Sequence, residues 1–559
     1  MVRMTWRVPA IVAALLLLLV PTLTHATQGG RAPRIPTIVP SYSARGVLRL
    51  SIPDTSPTVD PALVADEENV ELADLLYSGL VRLDASYRIV PAAAASYVIS
   101  PDHRHYTFYL RRSLRFSNGD PVTARDFVFS ITRSLTASVK SPSAPTYLLD
   151  ISGAREFLDG KAKTVAGLKA VGNTLHITTY WPVPYFLMEL TYPSSYALDR
   201  KLVLKAGPLD NSAWYTNPIG SGPFRLQSWA ANDHMTLVPN KYFYGRKPAL
   251  RKIIISFGAL PSTSLYEYVS HALDVVSLPA YDRSLIHQAG IHETKMLAID
   301  GMYMDLRAKP FSNPHIRRAL TLALDRSTLP RIAMGHTVTP FAGYVPPGQN
   351  GFDPQLKSLP FDATAAKREL AAGGYVNGKT FPITTLYYPD DPNISKLAQS
   401  ITRAWRENLG ISIDTLALTV NTLFTKAQNN ALPLYLFGWS ADYPDPHDWL
   451  SLQWKSDAVN NNVHYSNKQF DALVSAADVT WDGSKRLKLY DRAQQLLIND
   501  AAWIPMYIPH RLVYIRPTVA NLVLTGYGII PRSGTWAQVS VATTATKAHR
   551  NTYYSGLHE

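Results

Sequence analysis

The side chain best suited to binding chemistry in this sequence is Asp442, an acidic residue set among large aromatic ones. It follows an apolar, strand-like run in a segment that reads Leu-Phe-Gly-Trp-Ser-Ala-Asp-Tyr-Pro-Asp-Pro-His-Asp-Trp over 436–449. Burying a carboxylate in such surroundings is costly unless a positively charged group accompanies it. The pattern therefore predicts that Asp442 receives a cation, which is either a group on a ligand or an internal arginine or lysine of the chain.

Three further polar residues in this segment raise the question of a metal site. Asp445, His447 and Asp448 place oxygen and nitrogen donors close to Asp442. A structural interpretation is favoured, because an aspartate before a proline is typical of a turn and Asp448 suits the cap of a helix that begins at Trp449. We therefore predict no metal and no cofactor. The chain contains no cysteine, which excludes thiol chemistry and disulfides.

Two segments imitate catalytic motifs without the structural context that the chemistry needs. Gly373–Thr380 matches the phosphate-loop pattern, but a predicted helix over 362–372 precedes it and a strand opens at Phe381, which reverses the required order. Gly438–Asp442 is similar to a serine nucleophile elbow, yet its fifth residue is an aspartate, whose side chain crowds the turn. No catalytic residues are predicted, and the chain is not expected to be an enzyme.

The first 26 residues have the layout of a secretory signal peptide. Arg3 and Arg7 precede an apolar stretch from Ala10 to Val20, and the small residue Ala26 marks the expected cleavage position. An uncleaved membrane anchor is the alternative, although the stretch is shorter than the roughly 20 apolar residues that a crossing needs. We expect an exported protein without a lipid-anchor cysteine.

The composition indicates a large α/β protein without a polyanionic partner. The chain has 559 residues and a formal charge of +13, but only 17% of its residues are charged and the basic ones are scattered. No nucleic-acid-binding surface is predicted. Helical and strand-like patterns alternate along a chain long enough for two to four lobes, which predicts an α/β architecture.

The clearest predicted unit is a β-α-β crossover, in which a strand over Phe381–Tyr388 and a strand over Ile411–Leu418 flank a helix that Ser395 caps and Gly410 ends. Further elements follow from periodicity and turn chemistry. They are a helix that begins at Asp66–Glu68 and extends to Leu80, a strand over Tyr106–Leu110, a helix over Ser484–Asp500, and two strands over Trp503–Ile508 and Leu512–Ile515.

Four segments carry a family resemblance, and they are Arg115–Phe127, Asn217–Phe224, Pro310–Arg326 and Gly438–Tyr443. In order and spacing they resemble the extracytoplasmic solute-binding proteins of peptide-importing ABC transporters, the oligopeptide- and dipeptide-binding proteins of family 5. The likeness extends from about Gly46 to about Ile530. It implies a two-lobed periplasmic binding protein fold of the α/β class, with a discontinuous first lobe and an additional smaller α/β domain.

The resemblance also implies boundaries. The expected segments are a signal peptide over 1–26, a flexible leader over 27–44, lobe I over 45–78, 196–295 and 509–541, a smaller inserted domain over 79–195, lobe II over 296–508, and a flexible tail over 542–559. Two lobes of this kind can hinge, so that a ligand that contacts both favours the closed form.

For the site, the resemblance implies that Asp442 pairs with the α-ammonium of a peptide, with Trp439 and Tyr443 as walls of the pocket. The expected ligand-binding residues are Asp442, Trp439, Tyr443, Gly438, Ser440 and Tyr147. Oligopeptide binders of this type can carry a basic residue where Leu436 stands here. Recognition of the peptide C-terminus is therefore left open.

The implied function is binding of extended peptides in the periplasm and their delivery to an ABC-transporter permease, by a monomer. A non-peptide solute such as an oligosaccharide, a metal chelate or an opine-like compound is the alternative ligand. A secreted hydrolase and a structural exported protein are two further alternatives of different classes.

Overall fold

The computed structural model describes residues 45–53, 57–211, 213–258, 261–279, 291–335, 337–526 and 535–543. The predicted signal peptide, the leader and most of the tail lie outside the described residues. The strands within these ranges are β1 Val47–Ser51, β2 Val81–Leu83, β3 Ile89–Pro91, β4 Ala94–Ile99, β5 His105–Leu110, β6 Leu168–Val171, β7 Thr174–Thr178, β8 Phe224–Ala230, β9 His234–Pro239, β10 Lys252–Ser256, β11 Val275–Pro279, β12 Ile291–Lys295, β13 Ala298–Met304, β14 Val338–Pro340, β15 Thr385–Pro389, β16 Asp414–Leu418, β17 Leu434–Ser440, β18 Ile504–Ile515, β19 Val519–Ala520 and β20 Ser540–Val541.

The helices in the same ranges are α1 Glu67–Leu76, α2 Ala124–Ser134, α3 Ala144–Tyr147, α4 Ala154–Leu158, α5 Phe186–Glu189, α6 Arg200–Lys205, α7 Pro261–Val269, α8 Pro314–Leu322, α9 Leu329–Met334, α10 Ala363–Ala372, α11 Pro392–Leu409, α12 Val420–Gln428, α13 Pro446–Trp449, α14 Ser451–Trp454, α15 Lys468–Asp478 and α16 Gly483–Asn499. None of these helices combines the length and the apolarity that a membrane crossing requires.

Three sheets organise these elements into a mixed α/β architecture. We call the part of the chain that contains the sheet β1-β10-β9-β8 lobe I, and the part that contains the sheet β4-β5-β7-β6 the small domain. A larger sheet has the order β11-β18-β13-β17-β15-β16, with β12 and β14 also paired to β18. We call the part of this sheet that contains β13, β17, β15 and β16, together with the helices packed on it, lobe II.

The lobe I sheet joins residues that are far apart in the chain. β1 pairs in parallel with β10, so that Leu48 lies beside Ile253 and Leu50 beside Ile255. These four side chains are buried, because alternate residues of a strand face the same side of its sheet. The exact lobe boundaries given above stay a prediction.

The predicted β-α-β crossover is confirmed, but its two strands begin later than predicted, at Thr385 and Asp414, and its predicted helix cap is wrong. β15 and β16 pair in parallel, and α11 ends between them at Gly410, whose φ is 72°. The predicted cap Ser395 instead lies inside α11. Asp391 is the cap, because Pro392 follows it and suits the first turn of a helix, where no N–H donor is required.

The helix predicted from Asp66 is shorter than expected. Asp66 caps α1 as the acidic turn suggests, but the helix ends at Leu76 and does not reach Leu80. The carbonyl oxygen of Leu76 accepts a hydrogen bond from the N–H of Gly222 at 2.8 Å. There is no room for a Cβ atom on Gly222, which explains the glycine in this turn.

The two strands predicted near the end of the chain form one continuous strand, β18. Pro509, His510 and Arg511 stay extended because they pair with β14 and β12. β18 therefore passes from β13 in lobe II to β11. At the start of β11 the N–H of Asp274 donates to the carbonyl oxygen of Arg49 in lobe I at 3.0 Å. β18 thus connects lobe II to the neighbourhood of lobe I.

Candidate functional site

A cavity of about 530 Å³ lies against the C-terminal end of β17. Its wall combines lobe II residues with the start of α1 and with small-domain residues between Pro142 and Tyr147. A concave space of this size at a junction between domains is typical of a small-ligand site.

Asp442 and Tyr147 meet at this wall, although 295 positions separate them in the chain. The Tyr147 hydroxyl donates a hydrogen bond to the Asp442 carboxylate. Burial raises the pKa of Tyr147 well above its usual value, and the charge of Asp442 raises it further. Tyr147 is therefore a neutral hydroxyl, able to donate to the carboxylate.

The other predicted residues at the end of β17 also lie in the wall of the cavity, and they are Gly438, Trp439 and Ser440. The Trp439 indole N–H donates to the Asp448 carboxylate at 3.0 Å. The other oxygen of Asp448 accepts the backbone N–H of Asp442 at 3.3 Å. Asp448 is fully buried, so it holds the indole and the Asp442 backbone in one arrangement.

The predicted helix cap at Asp448 is therefore wrong, and Asp445 has that role. Asp445 accepts the N–H of His447 at 2.9 Å and caps α13. It also forms a bidentate ion pair with Arg486 at 2.7 and 2.6 Å, in which both side chains are buried. Among the described residues, no group of three histidine, aspartate or glutamate side chains is arranged to hold a metal ion.

Tyr443 lies behind the cavity wall and is not among the residues that line the cavity. It is fully buried and meets Tyr147 edge-on, with ring centroids 6.2 Å apart. Its hydroxyl shares a 2.6 Å hydrogen bond with His447, which in turn stacks on Tyr185 at 3.6 Å. Burial lowers the pKa of His447 well below its usual value, which keeps the imidazole neutral. Tyr443 thus supports Tyr147 from behind.

The wall of the cavity is acidic. Asp66, Glu67, Asp300 and Asp442 all contribute to it, whereas the described lining residues include no lysine, arginine or histidine. Carboxylates that share a low-dielectric cleft produce a negative potential inside it. The cavity therefore favours a ligand that carries positive charge.

Sequence reasoning missed Asp300, which lies in β13 directly opposite Gly438. A methyl group on Gly438 would occupy the position of an Asp300 carboxylate oxygen, so the glycine leaves the space that this side chain fills. Burial raises the pKa of Asp300 to about 6, against the opposing effect of a hydrogen bond from Tyr507. The sequence did contain a pattern that could have identified Asp300, namely a carboxylate within an apolar strand. A similar contrast between a carboxylate and apolar neighbours identified Asp442.

Gly438→Ala is expected to lower the free energy of unfolding by about 1–3 kcal/mol, because the methyl group forces the Asp300 carboxylate away from Tyr507. In an Asp300→Ala background the same change is expected to be neutral or slightly stabilising, since glycine weakens a strand interior. Urea unfolding of the wild type, both single variants and the double variant measures this coupling. Strictly additive effects would contradict the steric relation.

Three carboxyl groups, the buried Glu189 and the half-buried Asp150 and Asp478, lie behind the site around a second cavity of about 490 Å³ between the small domain and lobe II. Burial raises the pKa of Asp150 to about 6 and that of Asp478 to about 7. It also raises the pKa of Glu189 well above its usual value, and the charges of the other two raise it further. At neutral pH Glu189 therefore resists ionisation, Asp478 is partly protonated, and Asp150 is largely ionised.

Asp478→Asn is expected to change the pH dependence of stability. Because the pKa of Asp478 is higher in the folded than in the unfolded protein, its protonation stabilises the fold fully below about pH 4. That contribution is lost as the pH rises through about 7. The free energy of unfolding of the wild type should therefore fall, relative to the variant, on the order of 2 kcal/mol between these limits. Urea unfolding at several pH values tests this, and parallel profiles would contradict it.

Comparison with known proteins shows the family to which this chain belongs. The family model described as bacterial extracellular solute-binding proteins, family 5 Middle, matches residues 88–461. The probable deoxycholate-binding periplasmic protein YgiS of Escherichia coli K12 is 28% identical over 84% of this chain and 89% of the relative. The periplasmic oligopeptide-binding protein OppA of the same organism is 27% identical over 83% and 87%, respectively.

A solved structure of Listeria monocytogenes OppA bound to peptide has a TM-score of 0.75 and 25% identity, and the match covers 90% of this chain and 100% of that one. The predicted α/β binding-protein fold is confirmed by this likeness. The resemblance drawn from the sequence motifs is confirmed by the family model, whose members are solute-binding proteins. The chain belongs to the bacterial extracellular solute-binding proteins of family 5.

Proposed function

We propose that this protein binds extended peptides between lobes I and II and delivers them to an ABC-transporter permease. In this proposal Asp442 pairs with the peptide α-ammonium, beside the Tyr147 hydroxyl. The observation that carries it is an acidic cavity of about 530 Å³ with Asp442 in its wall. A carboxylate at one end of the cleft fixes the position of the bound peptide through the α-ammonium that every unblocked peptide has.

The position of the cavity supports a role for lobe movement. Its wall draws on α1, on the small domain and on lobe II, so that a bound peptide contacts three different parts of the fold. A ligand that touches both sides favours the closed form. We propose that the permease recognises this closed form, that the protein acts in the periplasm as a monomer, and that it releases its ligand unchanged.

A non-peptide solute is the second candidate, since one relative is named as probably deoxycholate-binding. Deoxycholate carries a carboxylate at neutral pH. The described lining of the cavity offers four carboxylates and no basic side chain, which disfavours an anionic ligand. A cationic or zwitterionic solute is better suited to this wall.

Native mass spectrometry of the protein purified from its periplasm tests the proposal. We expect a co-purified peptide or peptide mixture, released intact on unfolding, and a polypeptide mass that corresponds to a chain starting at Thr27. A homogeneous sterol or sugar ligand would overturn peptide binding, and ligand fragments that accumulate with time would indicate an enzyme.

A further inference from the structure

Asp300 occupies a central position in the binding region. It lines the cavity that contains Asp442 and also an adjoining cavity of about 420 Å³. The two cavities share further wall residues, among them Met296, Ser440 and Tyr507. A ligand that extends from one cavity into the other therefore passes the Asp300 carboxylate.

The wall around Asp300 contains several further carboxyl groups. The adjoining cavity adds Glu68 and Glu71 to the wall, and its basic residues among those described are His510 and Arg511. The Arg511 guanidinium lies 3.3 Å from the Glu67 carboxylate, which already partly neutralises it. The combined wall thus has more carboxylates than cations.

A second observation points to a ligand at this wall. The Ser143 side chain lines the first cavity, is 4% exposed, and has a hydroxyl without a hydrogen-bond partner in the described structure. Buried hydroxyl groups normally have a partner. A polar ligand atom in the cavity is the natural partner for this hydroxyl.

The distance to Asp442 limits which part of a peptide reaches Asp300. Gly438, which pairs with Asp300 on the neighbouring strand, is four residues before Asp442. Four extended residues span at most about 14 Å, and directly opposed strand residues are about 5 Å apart. A peptide that is anchored at Asp442 and runs along β17 toward Gly438 therefore has Asp300 within the span of its first few residues and a long side chain on one of them.

We propose that Asp300 is a specificity-determining residue that selects peptides with a lysine or arginine among their first three residues. This inference rests on the proposed function, because it requires the peptide N-terminus at Asp442. Among the described residues no basic side chain forms an ion pair with Asp300, and its carboxylate accepts a hydrogen bond from Tyr507. A ligand ammonium or guanidinium supplies the cation that stabilises the ionised carboxylate.

Calorimetry with matched peptides tests the inference. The probes are Ala-Ala-Ala, three variants with lysine at position one, two or three, and three with norleucine, which replaces the charge by an apolar group of similar length. For wild-type protein we expect at least one lysine peptide to bind about 10- to 100-fold more tightly than its norleucine counterpart. Asp300→Asn, which keeps the side-chain size, should remove this preference, so that each lysine peptide binds no more tightly than its norleucine counterpart.

The controls separate this inference from the proposed function. Asp233→Asn removes an exposed carboxylate outside both cavities and should preserve the lysine preference. Thermal unfolding verifies that each variant is folded. Equal affinities for lysine and norleucine peptides in the wild type, or a lysine preference that survives Asp300→Asn, would overturn the role of Asp300 alone. Failure of every peptide to bind the wild type would overturn the proposed function, and the inference with it.

Discussion

Asp442→Asn is expected to weaken the binding of an unblocked peptide by about 30-fold to a few thousand-fold. Removing one charge of a desolvated ion pair costs about 2–5 kcal/mol, because the remaining charge stays buried without its partner. Asparagine keeps the shape of the side chain and can still accept the Tyr147 hydrogen bond, so the change isolates the charge. Isothermal titration calorimetry with Ala-Lys-Ala measures the effect.

Tyr147→Phe provides a graded comparison at the same site. It removes the hydroxyl that donates to Asp442 but leaves the carboxylate in place. We expect a smaller loss of affinity, of about tenfold, since one hydrogen bond to a charged group contributes roughly 1.5 kcal/mol. A loss as large as that of Asp442→Asn would mean that the tyrosine, and not the carboxylate charge, dominates binding. An unchanged Kd for Asp442→Asn would refute the assigned role of Asp442.

Arg486→Met is expected to lower the free energy of unfolding by about 3–5 kcal/mol, because it leaves the buried Asp445 carboxylate without its cation. The pair is bidentate, and the guanidinium also lies over the Tyr185 ring, 5.6 Å from its centroid. Asp445 caps α13 in the loop that begins at Asp442. We therefore also expect weaker peptide binding, as the loop loses its fixed geometry.

Lys485→Met is the matched control for this prediction, since Lys485 is the preceding residue of the same helix and its side chain is 78% exposed. Its effect on the free energy of unfolding should stay within about 0.5 kcal/mol. Urea unfolding at constant pH compares both variants with the wild type. Equal stability of Arg486→Met and Lys485→Met would contradict a structural role for the buried pair.

The features of the fold that sequence reasoning identified correctly depend on local chemistry. Asp442, whose role in binding stays a prediction, was also marked by a local contrast, because it follows an apolar strand and stands beside aromatic residues. The parallel crossover was recognisable because helix, glycine stop and strand follow in order. The predicted cap Ser395 was wrong, since the proline after Asp391 favours a helix start there.

The features that escaped prediction are set by contacts between distant parts of the chain. Tyr443 is an aromatic residue next to Asp442, as expected of a pocket wall, but its packing against Tyr147 and His447 places it behind the cavity. Asp448 stands where a helix cap was expected, yet its carboxylate accepts the hydrogen bond of the Trp439 indole N–H. Asp300 acquires its significance only when β13 and β17 pair, because that register places it opposite Gly438.

The most direct measurement of the central claim compares one peptide with and without its α-ammonium. We propose calorimetric titration of the wild-type protein at pH 7.5 with Ala-Lys-Ala and with N-acetyl-Ala-Lys-Ala, which differ at the N-terminus alone. If the α-ammonium is held by Asp442, acetylation should weaken binding at least about 30-fold in the wild type and have little effect in Asp442→Asn. Equal affinity of the wild-type protein for the two peptides would contradict the account.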